Sequence, residues 1–217
     1  MFGTLLALHI AFGAIALASM CVPFFSVKGS PLHRRAGWVY VAAMTGASCV
    51  AFALCALRLS DDQADNDGFA RFLGFVALLT LTNCWNGVRN TRRKARTEAG
   101  GGVDLLMPGM LALGSVVLLV DAALTRNVLS AVFGMLGLTL SARQLRGWLR
   151  PPVGPREWQA QHLASLGAAC IGTVTAVVVV NAPRLHLAQL GIVAWVLPGV
   201  IGGVLIVRAQ RKLRHRP

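Results

Sequence analysis

Apolar runs long enough to cross a bilayer recur seven times along this chain, and that repetition leaves few folds open to it. The runs cover residues 4–26, 37–58, 69–88, 104–124, 128–146, 159–181 and 187–207. A hydrocarbon layer of roughly 30 Å is crossed by about 20 helical residues, and a helix satisfies its own backbone hydrogen bonds there. The expectation is an all-α polytopic membrane helix bundle of seven transmembrane helices, a single transmembrane helical domain over residues 1–217. Composition agrees, with 55 % of residues hydrophobic, 13 % charged and a mean hydropathy of +0.63, outside the range of soluble domains. Only "LTRNV" separates the fourth and fifth runs, which predicts a tight helical hairpin.

The charges give the bundle a direction. With seven spans the connections alternate sides, and all of the 21 basic residues except Arg58, Arg71, Arg126 and Arg184 fall on one side. The other side carries the acidic loop "DDQADND". By the positive-inside rule the N-terminus is outside and the C-terminus cytoplasmic, in a membrane crossed many times. The net charge of +13 does not point to nucleic acid, because the basic residues punctuate apolar runs instead of forming one patch. The first run lacks the basic opening of a signal peptide and is expected to stay as a span. Cys21, Cys49, Cys55, Cys84 and Cys170 lie in apolar runs with no CxxC, and read as small core hydrophobes. The longest connections are too short for a folded domain, so any chemistry belongs within the bundle or at its rim. No GxSxG appears, and "GGG" at 100–102 is followed by Val103 and Asp104, not by the lysine and serine of a phosphate loop.

Ionisable groups inside spans are costly, so each begins as a candidate for function. Topology sorts four histidines into two pairs, His33 with His162 on the cytoplasmic side and His9 with His186 on the outer side, while His215 lies in the basic tail. Two imidazoles on different helices are what a b-type haem needs, one on each side of the porphyrin plane. Arg34 and Arg35 stand where guanidinium groups can accept haem propionates, and they also anchor the second span. His186 and His215 read more simply as solvated interfacial residues. Three histidines can also hold a metal ion such as zinc with an open position for water. Against that, about ten or more residues of helix rise, over 15 Å, separate His9 from the cytoplasmic rim and from His33.

Asp121, Asn181 and His186 share the outer side with His9 and together suggest a polar outer pocket or a proton path, in which Asp121 orients the His9 ring. Asp121 has a plainer reading as a partner of Arg126. Asp104 reads as a helix N-terminal cap, and Trp38, Trp85, Trp148 and Trp158, near one rim with Asn83 and Asn86, read as an aromatic belt. Gly199, Gly203 and the alanines of the first two spans read as helix-packing positions. Pro108 and Pro198 lie inside spans and allow kinks, which keeps transport open.

Three segments carry a resemblance: "LHIAFGAIALAS", "HRRAGWVYVAAM" and "WQAQHLASLGAACIGTVTAVVVVN". They resemble a large family of predicted bacterial membrane proteins that carries a domain of unknown function. In that family a first-span histidine, a His-Arg-x-x-Gly motif opening the next span and a late-span histidine recur, matching His9, then His33, Arg34 and Gly37, then His162. "WVLPGVIG" is similar to a Trp-x-x-Pro ending of one branch, which places Trp195 and Pro198. Residues 60–150 contribute nothing specific, and His186 stands outside the pattern. The spacing is distantly similar to transmembrane b-type cytochromes, where helix histidines flank two haems.

The resemblance names no activity but adds weight to the three histidines. The leading expectation is an inner-membrane haem-binding redox protein carrying electrons between a quinol or cytoplasmic donor and a periplasmic acceptor. In its simplest form one haem b sits on His33 and His162, and His9 serves a quinone or a proton. The alternatives are a cofactor-free transporter, channel or accessory subunit, and an intramembrane metal-dependent hydrolase. Expected partners are the lipid bilayer and a quinone or redox protein, and a homo-oligomer is compatible with the same composition.

Overall fold

Helix boundaries are set by capping chemistry as much as by hydropathy, and several differ from the apolar runs. In the computed structural model, which describes residues 1–61, 67–184, 186 and 188–214, the helices are α1 (Phe2–Phe25), α2 (Pro31–Leu59), α3 (Asp67–Arg92), α4 (Gly102–Thr125), α5 (Val128–Leu149), α6 (Glu157–Asn181) and α7 (Ile192–Arg214). All seven are long and apolar enough to cross a membrane, and no strand occurs among the described residues. Most of the acidic loop, residues 62–66, lies outside the described residues, as does His215.

The chain divides into two compact units, Met1–Leu81 and Thr82–Pro217, and α3 runs through the boundary. In the first unit α1 and α2 pack together as a hairpin. "KGSP" makes its turn. Lys28 Nζ donates to the carbonyls of Pro23 and Phe24 at the end of α1, Gly29 takes φ +81°, and Ser30 Oγ accepts the His33 N–H at 3.2 Å. With Ser30 as N-cap and Pro31 at the first helical position, α2 starts six residues before the apolar run. The two helices meet through small residues: Ala16, Ala43 and Ala47 are buried, and the Phe12 ring lies over Gly46.

In the second unit α4 packs on α5 and α6 on α7. The predicted hairpin at "LTRNV" forms with Arg126 in the left-handed region, φ 53°, ending α4, and Asn127 Oδ1 accepting the Ser130 N–H to start α5. The α6–α7 seam is reciprocal. Ile206 of α7 fills the space beside Gly167 of α6, and Ile171 of α6 fills the space beside Gly202 of α7. Gly199 and Gly203, read from the sequence as packing positions, face open space. The last helix begins at Ile192, not near 187, because a 3-10 turn at Ala188–Leu190 and Gly191 at φ +48° interrupt the apolar run.

Candidate functional site

Two histidines sit inside membrane-spanning helices and are held in the same way. His9 of α1 places Nδ1 3.0 Å from the Ala47 carbonyl of α2, in the first unit. His162 of α6 places Nδ1 3.0 Å from the Gly87 carbonyl of α3, in the second unit. A carbonyl oxygen only accepts, so Nδ1 carries the proton in both rings, and in the neutral imidazole the lone pair is on Nε2. Among the described residues neither Nε2 has a hydrogen-bond partner, and both rings are half-buried. A ring fixed through Nδ1 to a carbonyl with Nε2 open is the usual disposition of an imidazole ligand.

His33 belongs to the first turn of α2, half-buried, with the exposed Arg34 and Arg35 beside it. Ala47 lies 14 residues further along α2, a rise of about 21 Å, so His9 and His33 stand at different depths and share no site. His33 lies in the first unit and His162 in the second. Both first-unit histidines precede a glycine by one helical turn, Gly13 and Gly37, and each glycine faces open space. A flat ligand bound at either imidazole would meet bare backbone one turn along. Among the described residues no group of three or more His, Cys, Asp or Glu converges as a metal site.

The second unit contains a polar core that the sequence reading passed over. Asn83, Asn86 and Asn90 of α3 are spaced to share one helix face, and all three are buried. Asn83 Oδ1 accepts from Gln144 Nε2 of α5 at 3.0 Å. Asn86 joins three helices: its Oδ1 accepts from the Trp148 indole of α5 at 2.6 Å, and its Nδ2 donates to Ser165 Oγ of α6 at 2.8 Å. Trp148 is 3 % exposed, so it is a core residue and not part of the aromatic belt, whereas Trp38 and Trp85 are 52 % and 40 % exposed as a belt requires. The spacing of the three asparagines within an apolar helix was the signal available. The side-chain partners of Asn83 and Asn86, 61 to 79 residues away, were not.

At the basic end of this core Asp104, fully buried, accepts from Arg89 Nε and lies 3.4 Å from Arg93, while its Oδ2 takes the Gly101 N–H at 3.0 Å. It therefore caps α4 as predicted and also ties α4 to the end of α3. Arg96 closes the neighbouring end of α5. Its guanidinium donates to the carbonyls of Glu98, Gly147, Trp148 and Arg150 at 3.0–3.1 Å and stacks over the Trp148 ring, 4.8 Å from its centre. Burial lowers its pKa from the ordinary arginine value and nearby Arg93 lowers it further, while Glu157 and Asp104 act in the opposite direction.

The residues of the expected outer pocket have individual roles. Asn181 donates to the Val177 carbonyl of its own helix at 2.8 Å and accepts from Arg184 at 3.4 Å. His186 is exposed in a turn with φ 55°. Asp121 is half-buried on α4, its carbonyl accepting from Thr125. The chain matches no protein-family model, no curated protein and no solved structure.

Proposed function

We propose that this protein is a haem-binding redox protein of the bacterial inner membrane, carrying electrons between a quinol or cytoplasmic donor and a periplasmic acceptor. The observation that carries the reading is His162, an imidazole within a membrane-spanning helix whose Nδ1–H is fixed on Gly87 and whose Nε2 has no hydrogen-bond partner among the described residues. Leaving such a nitrogen unused in an apolar setting is unfavourable, whereas offering it to iron is not. Bound haem supplies one-electron chemistry. In the second unit His162 would offer a ligand to the iron, and in the first unit His33 would offer one, with the Arg34 and Arg35 guanidinium groups beside it as partners for propionates. Gly37, with open space beside it one turn after His33, leaves room for the edge of the macrocycle. His9, with Nε2 as an acceptor, receives the hydroxyl proton of a quinol.

Absorbance of the purified full-length protein tests this. A Soret band that sharpens on dithionite is expected, lost in His162→Ala and His33→Ala. His9→Ala is expected to keep the band and slow its reduction by a quinol. A colourless wild-type protein, or an unchanged spectrum in His162→Ala, overturns the assignment and leaves a cofactor-free transporter or accessory subunit. Stoichiometric zinc by elemental analysis replaces it with a metal hydrolase.

A further inference from the structure

A cavity of about 390 Å³ opens at the basic end of the second unit, where α3 has ended and α6 begins. Asn90, Arg93 and Lys94 line one side, and Glu157, Trp158 and Gln161 line another. Arg96 completes the wall, but its Nη1 and one Nη2 N–H are directed to backbone carbonyls.

The lining has more donors than acceptors. Among the described residues the Lys94 ammonium, the Trp158 indole N–H and the Gln161 carboxamide have no hydrogen-bond partner, and Arg93 uses one edge on Asp104. The one carboxylate, Glu157, already accepts the Val153 N–H. Three cations therefore face a single anion, and a ligand that satisfies them brings negative charge and several acceptor oxygens but no donors of its own. A carboxylate offers two oxygens and a phosphate at least three. The volume also takes a phosphate together with its glycerol or a second phosphate. The cavity lies at the end of α3 and the start of α6, two helices long and apolar enough to cross a membrane, which would bring it near the level of phospholipid phosphates, and Trp158 offers an apolar ring beside its polar N–H.

We propose that this cavity binds a phosphate group, held by Lys94 and Arg93 with Trp158 and Gln161 as neutral donors. The proposal does not depend on haem. Two sources share this chemistry, an anionic phospholipid and a soluble phosphate compound, and two probes separate them.

Full-length protein in detergent is titrated with pyrophosphate by calorimetry. In parallel, phosphatidylglycerol and phosphatidylcholine are compared for retention by native mass spectrometry. Saturable binding of pyrophosphate alone identifies a soluble ligand, and preferential retention of phosphatidylglycerol identifies a lipid. Whichever probe binds, Lys94→Glu is expected to weaken it about tenfold or more and Gln161→Leu about threefold. Lys212→Glu makes the same charge change on exposed α7 and is expected to leave binding unchanged. Equal losses in Lys94→Glu and Lys212→Glu would show surface electrostatics alone and overturn the proposal, as would the failure of both probes to bind.

Discussion

The two units hold an intramembrane imidazole by the same device and build the surroundings from different forces. Around His9 the helices meet through Ala16, Ala43, Ala47 and the seat of Phe12 on Gly46, and among the described residues of that unit Ser48 and Thr80 are the buried serine and threonine, with no buried carboxamide or charged side chain. Around His162 the helices are joined by carboxamides, hydroxyls, an indole and an ion pair. Lipid supplies no hydrophobic drive for one helix to seek another, so close approach of small residues and interhelical hydrogen bonds are the two ways left. The first unit uses the former and the second adds the latter. Small-residue contacts restrain distance with little directional preference. Hydrogen bonds among Asn86, Trp148 and Ser165 fix rotation and depth as well, and so hold the α6 helix that carries His162 in one register against its neighbours.

The sharpest break in this contrast is expected at Asp104. Asp104→Ala leaves Arg89 and Arg93 without their shared carboxylate, and because both arginines keep some solvent contact the loss should be about 3 kcal/mol, below the full range for a buried pair. Denaturant titration in mixed micelles reads it, and a loss under 0.5 kcal/mol, the level of an ordinary surface change, would contradict a polar-anchored unit. Asn86→Leu strands the Trp148 indole and the Ser165 hydroxyl, and about 2 kcal/mol is expected. Hydrogen exchange should rise in α5 and α6 together, and a rise in one helix alone would show that Asn86 does not couple them.

Gly46→Ala addresses the first unit, since an added Cβ would stand 2.9 Å from the Phe12 ring. Because the ring can turn aside, about 1 kcal/mol is expected. The His9–Ala47 bond should lengthen with it, visible as a weakened Nδ1–H signal of His9 in nitrogen NMR, while His162 is unaffected. The smallest effect belongs to Arg34→Gln. Arg34 is exposed, so stability should change by no more than about 0.5 kcal/mol. Haem retention, if it falls in this variant, then reports on propionate binding and not on folding.

Much of this arrangement is legible in the chain. The tight α4–α5 hairpin follows from the brevity of "LTRNV", and the start of α2 follows from Ser30 and Pro31, though hydropathy alone placed it six residues late. Asp104 is recognisable as a cap because the spacing is local. His9 and His162 stand out because an ionisable ring in an apolar helix is costly. Trp148 could not be placed this way. Its composition and depth match those of Trp85, and only the approach of α3 makes one a core residue and the other a surface one. The α6–α7 seam is similar: Gly199, Gly202 and Gly203 are alike as sequence, and the position of Ile171 selects Gly202.

The number of the spans and their approximate places were determined by the sequence alone, because the bilayer tests each segment separately and the cost of exposing a backbone to lipid is met within one helix. Tertiary structure decided which polar atoms meet. Gly87 became the acceptor for His162, and Asn86 the junction of three helices, through coincidences near 3 Å between residues 62 to 79 apart in the chain. Such coincidences depend on the rotation and depth of whole helices, quantities that no local spacing encodes.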